Sequence, residues 1–213
     1  MLQRQGESVK THGVRRVDMP VPAGIQWGSV DIPDPSSLRI VKYPDPVLGQ
    51  VCARIERPDE KLRALTERMF AIMYAAGGVG LAAPQVALPI RLFVANPTGE
   101  PGQQERVYVN PEIVAQSGSI TNDEGCLSLP GVVCKIKRHT HVTIRAEDLD
   151  GNEFQQTGED LLARIFQHEM DHLNGVLIAD KMSMVARLGN RRAIRDLQQQ
   201  YADGQSDQAQ PGA

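Results

Sequence analysis

The sequence predicts an α+β domain, and three observations carry that expectation. Apolar residues fall at helical spacing from Asp59 to Gly78, short apolar and alternating runs fill the middle, and helical spacing returns after Thr157-Gly158. Residues 1–36 come before this body and predict no element. MLQRQGESVKTHGVRRVDMP has no sustained period, and VPAG and DIPDPSS are rich in proline and turn formers. This stretch reads as an N-terminal extension, partly disordered or docked as an arm, with Trp27 the one residue suited to packing. The domain itself is expected over 37–202.

Asp59 is a cap-type residue, and Leu62, Leu65, Met69, Ile72 and Met73 follow at helical spacing until Gly77-Gly78 stops the helix. IRLFVA (90–95) and RVYVN (106–110) read as strands, and HVTIRAE (141–147) alternates around Val142 and Ile144. Asp150-Gly151 is a turn signal before the strand NEFQQ. A second helix places Glu159 and Asp160 in its first turn, where negative charge suits the helix dipole, and ends at Gly175. Leu161, Ile165, His168 and His172 form one stripe of it, expected to face the core. A third helix is expected over 184–201, with Val185, Leu188, Ala193, Leu197 and Tyr201 apolar. Arg187, Arg191, Arg192 and Arg195 make it locally basic. DGQSDQAQPGA (203–213) reads as a disordered polar tail.

Composition narrows the function classes. The chain has 213 residues, 41% hydrophobic and 23% charged, with a formal net charge of −3. That suits one ordinary globular domain with no overall pull toward nucleic acid or an anionic membrane, and no specific nucleic-acid motif is present. Neither a membrane span nor a secretion signal is visible, so the expected location is cytoplasmic. Cys52, Cys126 and Cys134 make an odd count that argues against a disulfide framework.

The chemistry concentrates in His168-Glu169-Met170-Asp171-His172. Histidines four apart on a helix point the same way and suit one metal ion, with Glu169 rotated to flank a reacting water. Alone, the pattern suggests a zinc protease. The metzincin continuation fails because Ile178 stands where its third histidine belongs, and a thermolysin-like site fails because no glutamate follows Glu169. Asp180 is a competent ligand by chemistry but reads as solvent-facing. His139 and His141 read as surface residues, and Cys134 as a strand residue within VVCKIK. Cys126 differs: Gly125 lets the chain turn, and a thiolate there would complete a Cys-His-His set.

EGCLS (124–128), QHEMDH (167–172) and GVGLAAPQ (78–85) together resemble the three signature motifs of the peptide deformylase family. NP (110–111) and DPVL (45–48) add to a likeness that covers about residues 38–195. The resemblance implies sheets, antiparallel or mixed, packed around the HExxH helix, with a C-terminal helix. It also implies hydrolysis of the N-terminal formyl group of formyl-methionyl nascent chains, releasing formate. Cys126, His168 and His172 would hold one divalent ion, Fe²⁺ by preference, with Zn²⁺ or Ni²⁺ substituting. The donor set by itself suits zinc. Water activated by the metal would attack the formyl carbon, with Glu169 as general base and then acid. The Gln85 side chain and the Leu127 N–H would stabilise the oxyanion, and the Gly80 backbone would hold the substrate amide.

Leu161 and Ile165 are candidates for the methionine pocket, with Arg164 at its wall. Glu124 and Arg138 are expected to pair, either behind the site or on the surface. Where some members carry an arginine seven residues after the ligand cysteine, this chain has Val133, which weakens the transfer of peptide-backbone binding. The basic third helix raises contact with the ribosome as a further expectation.

Overall fold

The computed structural model describes residues 34–208. The extension through residue 33, Trp27 included, and residues 209–213 lie outside the described residues. Helix α1 spans Glu60–Ala75, and the Asp59 side chain accepts the Leu62 N–H at 3.0 Å, as a cap should. Leu62, Leu65, Met69, Ile72 and Met73 are its buried face. Gly77 adopts φ +68 and the Gly78 N–H reaches back to the Met73 carbonyl, closing the helix in a left-handed turn that glycine takes without strain.

Five antiparallel strands form the main sheet in the order β1-β2-β3-β6-β7: β1 Gly80–Ala82, β2 Leu92–Ala95, β3 Arg106–Ser117, β6 His141–Glu147 and β7 Glu153–Glu159. All four residues of β2 are buried because both faces of the sheet are covered. Leu92 and Val94 join the α1 core, while Phe93 and Ala95 join the core beneath helix α2 (Asp160–Leu173). Phe93 stacks on Tyr108 at 4.4 Å between ring centroids, and Phe166 of α2 meets Tyr108 edge-on at 5.3 Å. Burying an aromatic of this size contributes roughly 2–3 kcal/mol. Strands β4 (Ile120–Gly125) and β5 (Val133–Arg138) form a separate hairpin. Its inner residues, Cys134 and Ile136, pack with Leu177, Ile178 and Leu197 from the C-terminal elements.

Several expectations require correction. GVGLAAPQ reads in the sequence as a connecting segment between the helix stop and the next strand, but Gly80–Ala82 pairs with β2 as an edge strand. The first expected strand begins at Leu92, and the second runs on to Ser117. Register shifts on either side of Glu112 let β3 absorb Pro111, which has no N–H for a ladder. Glu159 is the N-cap of α2 and not part of its first turn. The helix expected over 184–201 is two, α4 Met184–Gly189 and α5 Arg191–Gln208, and a short helix α3, Ile178–Lys181, precedes them. The break falls at Asn190, whose side-chain amide bonds both the N–H (3.2 Å) and the carbonyl (2.9 Å) of Val133. Val185 and Leu188, two of the apolar residues of that expected helix, are 82% and 70% exposed. Helix α5 passes the boundary expected at 202, with the Gln199 amide donating to Asp203 at 2.8 Å.

Candidate metal centre and active-site cleft

Helix α2 carries His168 and His172 one turn apart, their ring centroids separated by 5.0 Å. Cys126 follows directly on β4, where the Leu129 N–H bonds back to the Cys126 carbonyl and turns the chain. The Cys126 Sγ lies 3.2 Å from His172 Nε2, and one ligand atom from each of Cys126, His168 and His172 lies within 4.8 Å of the others. Donors on a tetrahedral ion at ordinary metal–sulfur and metal–nitrogen lengths sit about 3.5 Å apart, so the three residues fit one ion. Asp180 does not join them. Its side chain accepts the Leu177 N–H at 2.9 Å and caps α3, while Ile178 is in the core.

The charges agree with that fit. Burial drives His172 well below its ordinary value, aided by the nearby His168 and Arg138, so its ring is neutral as a ligand must be. Burial also works against a charged His168, but hydrogen bonds to Cys126 and Glu124 outweigh it and carry that ring up to about 10. One positive charge is therefore favoured among a thiol and two carboxylates, and a divalent cation satisfies the same demand. Glu169 is 3% exposed, and its burial pushes the carboxyl up to about 7 against the opposing pull of His168 and Arg138. Its Oε2 is buried with no hydrogen-bond partner among the described residues, as is His172 Nδ1.

A cleft of about 410 Å³ opens over this centre. Gly80, Gln85, Leu127, Arg164, Ile165 and Glu169 all line it. A Cβ at Gly80 would run into Glu169 Oε1 and lie 3.0 Å from Ile165 Cγ2, so the strand approaches the glutamate as closely as only glycine permits. Ile165 is buried, whereas Leu161 is 37% exposed and forms the rim of the same cleft, not core as its stripe suggested. Val133 is on the rim as well, 56% exposed.

Gln85 is 1% exposed and held at both ends of its amide. Its Oε1 accepts the Ala82 N–H at 2.9 Å, and its Nε2 faces Ser128 Oγ at 3.3 Å and Cys126 Sγ at 3.6 Å. Glu124 and Arg138 form a buried bidentate pair, each bond 2.9 Å, so the surface alternative is excluded. Glu124 Oε2 also meets His168 Nδ1 at 3.2 Å, leaving Nε2 of that ring for the centre. Burial opposes its charge, but His168 and Arg138 hold the Glu124 carboxyl down at about 2.

Sequence reasoning missed the segment that joins the motifs. The Val41 N–H donates to the Gln85 carbonyl and the Tyr43 N–H to the Ser128 carbonyl, both at 2.9 Å. Between them Lys42 Nζ donates to the Leu127 carbonyl at 2.7 Å. These backbone bonds carry no residue signature, so nothing in the sequence marks them. Asp171 was visible within HEMDH, but its bond to Arg138 Nη1 (2.6 Å) depends on the hairpin.

The profile of the polypeptide deformylase family matches residues 37–187, a span that holds every residue of this site. This chain belongs to that family. It is 47% identical over 160 residues to a peptide deformylase of Acidobacterium capsulatum, covering 75% of this chain and 94% of the relative. It is 43% identical over 177 residues to peptide deformylase 1B, chloroplastic/mitochondrial, of Arabidopsis thaliana, covering 82% of this chain and 65% of that longer protein. Among solved structures, a plant peptide deformylase PDF1B superposes with a TM-score of 0.78 at 43% identity, over 82% of this chain and 96% of the other. The peptide deformylase of Legionella pneumophila gives 0.72 at 40% identity, over 82% and 100%. The chain is therefore a hydrolase of the deformylase family with the family's α+β fold.

Proposed function

We propose that the enzyme hydrolyses the formamide at the N-terminus of formyl-methionyl nascent chains, using one divalent ion held by Cys126, His168 and His172. The observation that carries this reading is the meeting of those three ligand atoms within 4.8 Å at a cleft that Glu169 and Gln85 also line. An ion bound there supplies Lewis acidity to the reacting water and the formyl oxygen. Glu169, buried and poised near neutral pH, takes a proton from water as oxygen adds to the formyl carbon. It returns that proton to the nitrogen as the C–N bond breaks, leaving formate and a free N-terminus. The Gln85 Nε2, fixed by the bond that Ala82 makes to its other end, and the Leu127 N–H stabilise the charge that develops on oxygen.

Ile165 and Leu161 supply the apolar wall for the methionine side chain, with the Arg164 stem beside them. Gly80 keeps the strand close enough for its backbone to hold the substrate amide next to Glu169. Fe²⁺ is the working ion on the family resemblance, with Zn²⁺ and Ni²⁺ accepted by the same donors. Nascent chains also bring the ribosome near, and the basic start of α5, with Arg191, Arg192 and Arg195, is the surface assigned to that contact. Reversing those three charges to glutamate weakens ribosome co-sedimentation if this holds; unchanged co-sedimentation overturns it. The cytoplasm is the compartment we assign, on the sequence reading, while the Arabidopsis relative's name refers to chloroplasts and mitochondria.

Metal analysis tests the site. The purified wild type carries one divalent ion per chain, and Cys126→Ser carries less than about a tenth of that while remaining folded. Full metal content and activity in Cys126→Ser would contradict the assignment.

A further inference from the structure

We infer that Lys181 is a positioning residue for the metal centre, acting on His168 through Asp171, Arg138 and Glu124; this rests on the metal-site reading above. Lys181 Nζ, on α3, donates to both oxygens of Asp171, at 2.6 Å to Oδ1 and 2.5 Å to Oδ2. Asp171 Oδ2, on α2, accepts from Arg138 Nη1 at 2.6 Å. Arg138, on β5, forks onto both oxygens of Glu124, and Glu124 Oε2 holds His168 Nδ1. Side-chain exposure falls along this path from 36% at Lys181 to 19% at Asp171 and 2% at Arg138. The signs alternate from Lys181 inward to Glu124, so Asp171 lies between two cations and Arg138 between two carboxylates.

An isolated lysine–aspartate pair at this exposure is worth little. Its consequence here comes from how Arg138 divides its donors. Nε and Nη2 serve Glu124, while Nη1 serves Asp171 and, at 3.4 Å, the Gln167 carbonyl. Without Lys181, Arg138 is the one cationic partner left to Asp171 among the described residues, and Asp171 draws the guanidinium from Glu124. Glu124 is the group that orients the His168 ring, and it stands two residues before Cys126 on the same chain segment. A loosened Glu124 thus reaches two of the three ligands. Partners that orient metal ligands directly cost about 10–100-fold in affinity when removed, so a residue further out is expected to cost roughly three- to tenfold.

The sign of the effect separates this role from plain electrostatics. Removing a positive charge favours a bound cation, so a purely Coulombic Lys181 would slow metal loss on substitution. A positioning Lys181 speeds it. The test uses the full chain loaded with Zn²⁺ and follows release to a colorimetric chelator. Lys181→Met releases zinc roughly three- to tenfold faster, Lys181→Arg stays within about twofold of wild type, and Lys181→Met adds nothing in an Asp171→Asn background. Release from Lys181→Met that is unchanged or slower, or Lys181→Arg no better than Lys181→Met, overturns the inference. A wild type that binds no stoichiometric zinc overturns the metal-site reading itself.

Discussion

Helix α2 and helix α4 both place apolar residues at helical spacing, yet the chain treats them in opposite ways. Helix α2 is enclosed: Ala163, Ile165 and Phe166 join the core under the main sheet, and its polar residues Gln167 and His172 are buried too. Helix α4 lies open, with Met184, Val185 and Leu188 exposed at 89%, 82% and 70%. Spacing alone predicts a helix in both places. What differs is the opposite surface. The sheet and the motif segments meet α2 from several sides, whereas α4 is held along one side, by Ala186 against the hairpin cluster, Arg187 on the Ala179 carbonyl and Asn190 on Val133. Periodicity therefore reports local conformation, and burial follows from what the topology brings opposite.

Substitutions in the two regions sharpen this contrast. The largest effect is expected from Glu169→Gln, which keeps shape and the metal ligands but removes the base; formate release falls by about 10²–10⁴-fold with metal content unchanged. Retained activity would place the base elsewhere. Arg138→Met comes next, because it leaves the carboxylates of Glu124 and Asp171 without their shared cation in a buried setting. Denaturant titration is expected to show a loss of about 3–5 kcal/mol. A loss under about 1 kcal/mol would mean the pair behaves as a surface contact.

Gly80→Ala tests the close approach of β1 to α2. Its added methyl displaces Glu169, so deformylation drops by about 10–100-fold while unfolding shifts far less. An activity near wild type would show that Glu169 has room to move. At the bottom of the scale, Leu188→Ser on α4 changes unfolding free energy by less than about 0.5 kcal/mol. A change above about 2 kcal/mol would show that α4 is covered in solution and break the comparison.

The sequence was most legible where pattern and chemistry coincide. Residues 141–147 alternate and form β6 over His141–Glu147, and Asp59 caps α1 with the expected bond. The grouping of Cys126 with His168 and His172 was legible because histidine pairs at helical spacing and a glycine-preceded cysteine are chemically distinctive. Strand β4 was not, since the one buried side chain in ITNDEG is Glu124, a charged residue that an apolar pattern passes over. Its burial makes sense only beside Arg138, which the hairpin supplies. Strand β1 is three residues long and reads as a loop until β2 pairs with it. Lys42 and Lys181 were silent for a related reason: each acts through a partner on a different element, and neither sits in a motif.

The central claim is that Cys126, His168, His172 and Glu169 form one deformylating site. It is tested most directly by formate release from a formyl-methionyl peptide with anaerobically purified, iron-loaded protein, measured beside Glu169→Gln at equal metal content. The expected result is one formate released per peptide consumed by the wild type, and a rate from the variant at most about a hundredth of the wild-type rate. Stoichiometric metal with no formate from the wild type would contradict it.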